Sequence, residues 1–376
     1  MGNEQMLISG GSLITGYGVQ EADLWIKGGK IVRRAKDTLR KRHANGRGKS
    51  LLRVFDASGY YILPGFVHVG QMRAHLLSNV RDYLDDIRDK VAGGFTTMVD
   101  TVRVERWMDV EQLLYHLTPH YNNVIDYAIE LEYAADEFTP QRVAAMARRG
   151  FRLFRVVIRQ PQEARQLQWD SLYPVFQKYK LAVQPEIQQA ERLTRTERND
   201  ILEIWLGACH YGKIRTRVKD VDPFQLHGEE RFYTITEIVE GEHNRLLRYL
   251  HKFGHLPLPV CSRADRIRGL KPARQWTPEQ VLNWCVRIAA ANTAKAIGCY
   301  PVKGSLLPGA DADLVFIKKQ DWLTNFAVST ILNFSEICQP AMVMSRGRWL
   351  LRGGNYQPLI GTGNHLLQLK PYNYVI

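Results

Sequence analysis

The sequence contains no run of about 18 consecutive apolar residues, and its N-terminus, MGNEQMLISGG, has neither a basic start nor an apolar stretch. A membrane-spanning helix needs about 20 mostly apolar residues, and a signal peptide needs both of the missing N-terminal features. These absences argue against a membrane protein and against a secreted one. We therefore expect a cytoplasmic protein without membrane contact.

Cysteine is scarce and scattered. The five cysteines form no C-x-x-C pair, and they are Cys209, Cys261, Cys285, Cys299 and Cys338. This spacing argues against a disulfide framework and against a zinc site built on cysteine. Buried thiols in a reducing compartment fit the pattern.

Acidic residues are the minority charge, with 38 Asp and Glu against 51 Lys and Arg and a net charge of +13. The most basic stretch, residues 33–49, has eight Lys or Arg against Asp37 and contains no aromatic residue. Without aromatic side chains on which bases stack, nucleic-acid binding is disfavoured. We interpret the stretch as a solvated hairpin loop, and an acidic or phosphate-bearing surface as partner remains the alternative.

Short β-like segments with glycine turns occupy both ends of the chain, as in LISGGSLITG and AMVMSRGRWLLRGG. Between them, apolar runs alternate with amphipathic helical segments, the pattern of βαβ units. We predict an α/β protein in which residues 62–300 form a (β/α)8 TIM-type barrel with shortened or distorted late units. Residues 1–61 and 301–376 are predicted to form a small composite β-sandwich domain.

The predicted barrel elements are clear only in the first part of the central region. The predicted strands are YILPGFVHV, 95–102, 124–132, 151–158 and 181–187, with KIRTRVKDVD as a sixth. The predicted helices are 79–92, 139–149, 171–180 and 191–210. After residue 220 the sequence is polar and irregular, and LPLPVCS carries two prolines that disfavour a central strand.

Two long motifs stand in order near the two ends of this central region. They are FDASGYYILPGFVHVG at 55–70, and AANTAKAIGCYPVKG at 290–304 continuing into KGSLLPGADADLVFI at 303–317. Both resemble segments of metal-dependent amidohydrolases of the dihydroorotase and hydantoinase type. The resemblance implies a barrel with a composite β domain, and a family chemistry in which a divalent metal activates water against a cyclic amide.

The metal ligands of that family are not matched. Where it reads Asp-x-His-x-His, this chain has HVGQM from His68, so Gly70 and Met72 stand at the two histidine positions. The family's strand-4 lysine falls in GFRLFRVVI, which offers Arg152 or Arg155 and no lysine, and its strand-5 histidine aligns best with Gln184. A guanidinium stays protonated and cannot form the carbamate that the family builds on lysine. We therefore expect no metal or other cofactor.

Few residues remain that could replace this site. Asp265, in CSRADR, is the one candidate for the family's strand-8 aspartate, which acts as general base, and the strand-6 histidine falls near Val218. His116 and His120 have the helical spacing of metal ligands, but Pro119 between them disfavours a regular helix. We interpret these two histidines as surface or capping residues.

Strand alternation instead predicts a group of charges at the barrel mouth. Glu130 and Glu132 fall on one face of their strand, and Glu186 lies two strands further on. Buried carboxylates need a positive partner, which Arg155 would supply, or Arg152 if the strand faces the other way. The group is either an inert plug of ion pairs or a small-ligand site in which arginine anchors a carboxylate or phosphate, with His68 and Gln184 as further pocket residues.

Two functions remain open on this basis. The first is a non-catalytic amidohydrolase-like protein that acts as a scaffold or binding protein, as a homo-oligomer or with another protein. The second is a hydrolase of non-peptide C–N bonds in cyclic amides with a rebuilt site, which would hold zinc or another divalent metal.

Overall fold

The structure is a computed structural model of the 376-residue chain. It describes residues 5–36, 52–70, 80–218, 234–236, 276–326, 339–367 and 369–370. Most of the basic stretch at 33–49 and most of the irregular segment after residue 218 lie outside these ranges. Within the described ranges, no helix combines the length and the apolar composition that crossing a membrane requires.

The elements follow one another in three groups. The N-terminal strands are β1 Gln5–Ser9, β2 Ser12–Thr15, β3 Gly18–Glu21, β4 Asp23–Lys27, β5 Lys30–Ala35, β6 Leu52–Asp56 and β7 Tyr60–Pro64. The central elements are β8 Phe66–Val69, α1 Val80–Ala92, β9 Phe95–Arg103, α2 Val110–His116, β10 Asp126–Ala134, α3 Pro140–Arg148, β11 Leu153–Ile158, α4 Pro161–Gln166, α5 Trp169–Tyr179, β12 Ala182–Ile187, α6 Arg195–Tyr211, β13 Arg215–Val218, β14 Thr234–Thr236, α7 Pro278–Cys285 and α8 Thr293–Ile297. The C-terminal elements are β15 Leu314–Lys318, α9 Lys319–Asn325, β16 Met342–Ser345, β17 Arg348–Arg352 and β18 Asn355–Tyr356.

Strands from both ends of the chain build a β-sandwich. A four-stranded sheet has the order β5-β4-β1-β6, and a seven-stranded sheet has the order β18-β17-β16-β15-β7-β2-β3. The C-terminal β15 pairs antiparallel with the N-terminal β7, with Leu314 opposite Pro64. The apolar side chains between the sheets form one core, which includes Ile8, Leu13, Leu24, Ile26, Ile62, Leu314, Phe316 and Met344.

The pairing of β7 with β15 brings together the two chain ends that the sequence assigned to one domain. The predicted boundary at residue 61 falls inside β7, and the exact division into domains stays a prediction.

The central strands form an all-parallel sheet in the order β14-β13-β12-β11-β10-β9-β8. Each strand therefore lies next to its neighbour in sequence, and helices connect the successive strands from β8 to β13 as in a (β/α) barrel. Four of the five clear predicted strands are present as β9 to β12, and KIRTRVKDVD contains β13. The first, YILPGFVHV, is divided at Gly65 into β7 of the sandwich and β8 of the parallel sheet, so its prediction as a single barrel strand is wrong. Seven parallel strands occur in the described ranges, and closure into eight stays a prediction.

The predicted helices are present as α1, α3, α5 and α6, with ends that differ by a few residues. Their starts follow from local chemistry, because Thr139 accepts the Arg142 N–H at the start of α3 and Thr194 forms a capping box with Glu197 at α6. Helix α2 ends at His116, and a separate 3₁₀ turn, Thr118–Asn122, follows. The sequence interpretation that His116 and His120 do not share a helix is therefore confirmed.

Side chains of the barrel sheet alternate between its two faces. The outward side chains pack against the helices in the largest apolar cluster, to which the sheet contributes Met98, Ile129, Leu131, Phe154 and Val156 among others. The inward face carries a smaller apolar cluster with Val67, Val99, Ala128 and Leu153. The charged residues described below stand on the same inward face, next to these apolar residues.

A buried ion cluster joins the barrel to the segment that returns to the sandwich. The Lys303 Nζ lies 2.6 Å from Asp126 Oδ2 on β10, 2.7 Å from Asp313 Oδ2 and 3.0 Å from Asp311 Oδ2. Asp311 also pairs with Lys30 on β5, at 2.7 Å. Burial disfavours the charged lysine, but the surrounding carboxylates outweigh it and hold the pKa of Lys303 above its usual range.

Replacing Lys303 by Met is expected to lower the free energy of unfolding by about 3–5 kcal/mol, because three carboxylates would lose their buried cation. Urea unfolding at neutral pH measures this loss. The matched control is Lys30→Met, whose side chain is 51% exposed. It is expected to cost less than about 1 kcal/mol. Equal losses in the two variants would contradict a central role for Lys303.

Candidate functional site

The inward face of the barrel sheet centres on the carboxylate of Glu130, which is 3% exposed. Its Oε2 accepts hydrogen bonds from Arg155 Nε at 2.9 Å and from Gln184 Nε2 at 2.8 Å. Its Oε1 accepts one from Arg217 Nη2 at 2.9 Å. The Thr101 hydroxyl donates a longer bond of 3.3 Å to Oε2. Both carboxylate oxygens are therefore occupied by donors from four neighbouring strands, β9, β11, β12 and β13.

A second layer of charges surrounds this centre on its more exposed side. The Arg155 Nη1 lies 3.3 Å from Glu186 Oε2 and 4.0 Å from Glu132 Oε2. Glu132 also lies 3.8 Å from Arg103 Nη1. The Glu186 side chain is 30% exposed, whereas that of Arg155 is 7% exposed. The ion pairs therefore extend from a buried centre towards solvent.

The parallel register brings these residues together. Arg155 on β11 stands opposite Glu132 on β10 and opposite Gln184 on β12. Side chains two residues apart on a strand lie on the same face, so Glu130 and Glu132 both point inward. Arg217 points inward from β13. Four pocket positions predicted from the sequence, Glu130, Glu132, Gln184 and Glu186, thus gather around Arg155.

The charges decide the protonation of the two inner carboxylates. Burial raises the pKa of Glu130, but the guanidiniums of Arg155 and Arg217 outweigh burial and hold the pKa below its usual range. Glu132 has weaker positive contacts, so burial keeps its pKa above the usual range despite Arg155 and Arg103. An ionised Glu130 whose oxygens all accept hydrogen bonds is a poor general base.

Within the described part of the chain, the space beside the centre is a small cavity. A cavity of about 20 Å³ adjoins Glu130, Gln184, Arg215 and Arg217. This is room for about one water molecule, far below the several hundred cubic ångströms of a typical ligand site. Among the described residues, the arrangement is a packed group of ion pairs.

His68 does not join this group. It stands opposite Met98 of β9, which packs in the outer apolar cluster, and its ring meets Phe95 edge to face at 5.3 Å. The inward residues of its strand are Val67 and Val69. The expectation that His68 lines the barrel mouth is wrong, because the strand pleat turns it to the other face.

Burial, with a smaller effect of Lys90, lowers the pKa of His68 to about 3. The imidazole is therefore neutral at physiological pH.

Other expected residues have different outcomes. Gly70 is buried directly after β8, whereas Met72 and Asp265 lie outside the described residues. Arg152 turns away from the group and donates to the Ala147 carbonyl at 2.6 Å, which leaves Arg155 as the inward arginine. His120 is only 1% exposed and bonds Asp100 Oδ2 at 2.9 Å in the outer layer, so its interpretation as a surface or capping residue is wrong, whereas His116 is exposed.

Sequence reasoning missed Arg217. Its segment is predicted as a strand, and alternation of Arg215 and Arg217 along it is the available signal. Alternation shows which residues of the strand share a face, but it does not show which residue Arg217 contacts. Its partner, Glu130, lies 87 residues away in sequence.

Within the described ranges, no group of three or more His, Cys, Asp or Glu side chains is placed to hold a metal ion. The donors that meet at the barrel centre are two guanidiniums, an amide and a hydroxyl.

No protein-family model matches the sequence, and no curated protein sequence matches it. Solved structures do match. A D-hydantoinase is 17% identical, with a TM-score of 0.66 over 96% of this chain and 98% of that one. The dihydropyrimidinase from Brevibacillus agri NCHU1002 is 16% identical, with a TM-score of 0.66 over 98% and 99% of the two chains. A zinc-bound adenosine deaminase from Xanthomonas campestris is 12% identical, with a TM-score of 0.62 over 94% of each chain.

At these identities, the similarity shows that the chain shares the fold of the hydantoinases and dihydropyrimidinases. The fold implied by the two sequence motifs, a parallel (β/α) sheet with an added β domain, is therefore confirmed, and closure of that sheet into a full barrel stays a prediction.

Replacing Glu130 by Gln is expected to destabilise the protein by about 3–5 kcal/mol at pH 7, because two buried guanidiniums lose their counter-charge. The folded-state pKa of Glu130 is lowered, so its contribution is present above the unfolded pKa near 4.3 and is lost as the pH falls. The difference between wild type and variant should therefore shrink below about pH 4.3. Urea unfolding across this pH range provides the measurement.

The matched control for this experiment is Glu111→Gln, at an exposed carboxylate on α2. It is expected to change the free energy of unfolding by less than about 1 kcal/mol. A Glu130→Gln variant as stable as this control at pH 7 would show that the buried pairs are not coupled to folding.

Replacing His68 by Phe is expected to remove one component of acid sensitivity. The folded-state pKa of His68, near 3, lies below the unfolded value of 6.5. The contribution of this group to stability is therefore fully present above pH 6.5 and is lost as the pH falls. Linkage predicts that wild type loses about 2 kcal/mol from this group between pH 8 and pH 5. The His68→Phe variant should lack this loss of stability. The control His116→Gln, at an exposed histidine, should show the same change of unfolding free energy with pH as the wild type. If the free energy of unfolding changed with pH in the same way in all three proteins, the burial of a neutral His68 would be refuted.

Proposed function

We propose that this chain is a non-catalytic protein with a hydantoinase-like fold, and that it acts as a scaffold or as a binding partner of other proteins. The observation that supports the proposal is the pairing of Glu130 with Arg155 and Arg217 at the centre of the barrel sheet. This pairing places two permanent positive charges where the family resemblance implies metal chemistry.

The residues at this centre do not fit a divalent metal. Arg155 stands where the resemblance implies a carbamylated lysine, and Gln184 stands where it implies a histidine. A guanidinium has no lone pair to offer a cation and repels it, and an amide oxygen is a weak ligand for zinc. Glu130 could ligate a cation, but its oxygens already accept the bonds that keep it ionised.

Positive charge can take over the structural part of a metal's role. A buried carboxylate cluster needs a counter-charge, whether it comes from a metal or from arginine. Arg155 contacts Glu130, Glu132 and Glu186 at once, so one side chain supplies that charge to carboxylates on both neighbouring strands, β10 and β12. Arginine cannot supply the second part of the role, the activation of water.

The scaffold role is proposed to involve a second copy of the chain or a protein partner with an acidic or phosphate-bearing surface. The support for this part is the net charge of +13. A phosphate-bearing partner would meet a chain with 51 Lys and Arg against 38 Asp and Glu.

Purified protein is expected to show no hydrolysis of dihydroorotate, hydantoin or allantoin, with or without added zinc or manganese. Loss of an activated water removes several kcal/mol of transition-state stabilisation, a rate loss on the order of 10³-fold or more. Substrate loss and product formation are followed by chromatography, with metal content measured on the same preparation. A D-hydantoinase assayed in parallel serves as the positive control.

Metal-dependent turnover that Asp265→Asn abolishes, in protein with near-stoichiometric metal, would instead establish the second function, a hydrolase with a rebuilt site. An Arg155→Met variant separates the two cases further. In a non-catalytic protein the variant should lose stability and, like the wild type, show no hydrolysis, whereas in a hydrolase whose rebuilt site uses this arginine it should lose the turnover that the wild type shows.

A further inference from the structure

A second site lies apart from the barrel centre, at the junction of sandwich and barrel. A cavity of about 540 Å³ opens there, within the size range of small-molecule sites. Its residues come from β1, β6, the β4–β5 turn and the β16–β17 turn of the sandwich, and Val124 and Thr362 close it from the barrel side. Ligand sites occur preferentially at such junctions between domains.

The lining combines positive charge with apolar surface. Three arginines, Arg53, Arg346 and Arg348, contribute to it. Among the described residues that line the cavity, none is acidic. The other side chains of the lining are apolar, from Met6, Ile26, Val124 and Leu350, or polar and uncharged, from Gln5, Ser345 and Thr362. A ligand that matches this lining has an anionic group and an apolar body.

The position of Arg346 is unusual for its residue type. It occupies the turn between β16 and β17 with φ of 46°, followed by Gly347 with φ of 76°. Tight hairpin turns of this kind favour Gly, Asn or Asp, because a side chain is strained at positive φ. The strained turn therefore places the Arg346 side chain in the lining of the cavity.

The surrounding contacts hold this turn in place. The Arg346 backbone N–H donates to Asp313 Oδ1 at 2.7 Å. A Cβ added to Gly29, in the opposite turn, would come within 2.9 Å of the Arg346 carbonyl oxygen, so the two turns pack backbone to backbone. The turn is therefore fixed before any ligand arrives, which lowers the entropy cost of binding.

The guanidinium of Arg346 is only loosely engaged by the protein. Its Nη1 lies 3.8 Å from Asp126 Oδ1, beyond hydrogen-bond distance, and its side chain is 39% exposed. Asp126 already accepts from Lys303 Nζ at 2.6 Å and from the Asn364 N–H at 2.7 Å. Arg346 can therefore turn its planar donors to an anion in the cavity while Asp126 keeps its own partners.

We propose that this cavity binds a small organic phosphate, a molecule with a phosphate monoester and an apolar or ring-shaped body. A phosphate monoester carries about 1.5 to 2 negative charges at neutral pH, which matches several arginines better than a single carboxylate does. Planar guanidiniums bind phosphate oxygens in pairs, and the apolar walls accommodate the body. The site involves none of the ion pairs at the barrel centre, so the proposal of a phosphate site does not depend on the proposed function of the chain.

Phenyl phosphate and inorganic phosphate are the probes, titrated into the full chain by calorimetry at constant ionic strength and pH 8. Phenyl phosphate is expected to bind more tightly than inorganic phosphate. Arg346→Gln and Arg348→Gln should each weaken phenyl phosphate binding about tenfold or more, because each removes a charge-assisted hydrogen bond. Arg198→Gln, on the exposed surface of α6, removes the same charge elsewhere and should leave binding unchanged.

Arg346→Asn provides a second variant in case the Gln variant folds poorly, since Asn tolerates positive φ better. Circular dichroism and thermal unfolding verify folding of each variant. No binding of phenyl phosphate, or equal binding by wild type and the pocket variants, would overturn the site. Equal affinity for inorganic phosphate and phenyl phosphate would overturn the assignment of an organic ligand.

Discussion

Strand β10 carries three carboxylates on its inward face, and two of them, Asp126 and Glu130, are almost fully buried, at 1% and 3% exposure. Neither can remain ionised in the interior without a cation nearby. Lys303 meets Asp126, and Arg155 and Arg217 meet Glu130. The first pairing ties the barrel to the chain that returns to the sandwich, and the second ties neighbouring barrel strands to one another. The arrangement of both halves of the molecule depends on these neutralised charges.

Buried ion pairs of this kind are weak evidence for stability in themselves, because desolvation offsets much of the attraction. Their geometry is nevertheless demanding, since removing one partner leaves an uncompensated charge. Glu130 receives donors from several strands, and a shift of one residue in any of them would turn its donor to the other face. We regard the network as a determinant of strand register.

The fold alone does not establish what the protein does, because one barrel architecture supports many chemistries. The distinguishing features lie in particular side chains. Two arginines at the barrel centre favour a structural role there, and three arginines at the sandwich junction favour an anion site elsewhere. Function in this chain is therefore proposed to have moved from the barrel mouth to surfaces and junctions around it.

The sequence by itself determined the strand-rich ends, the alternating centre and the inward face of β10, because these follow from local periodicity. It also identified Arg155 as the partner of Glu130 and Glu186, since adjacent parallel strands place their inward residues side by side. Only the tertiary structure decided that His68 points outward and that Arg217 reaches Glu130 from 87 residues away. Strand pleat and register depend on contacts between segments distant in sequence, and such contacts leave no periodic trace in either segment.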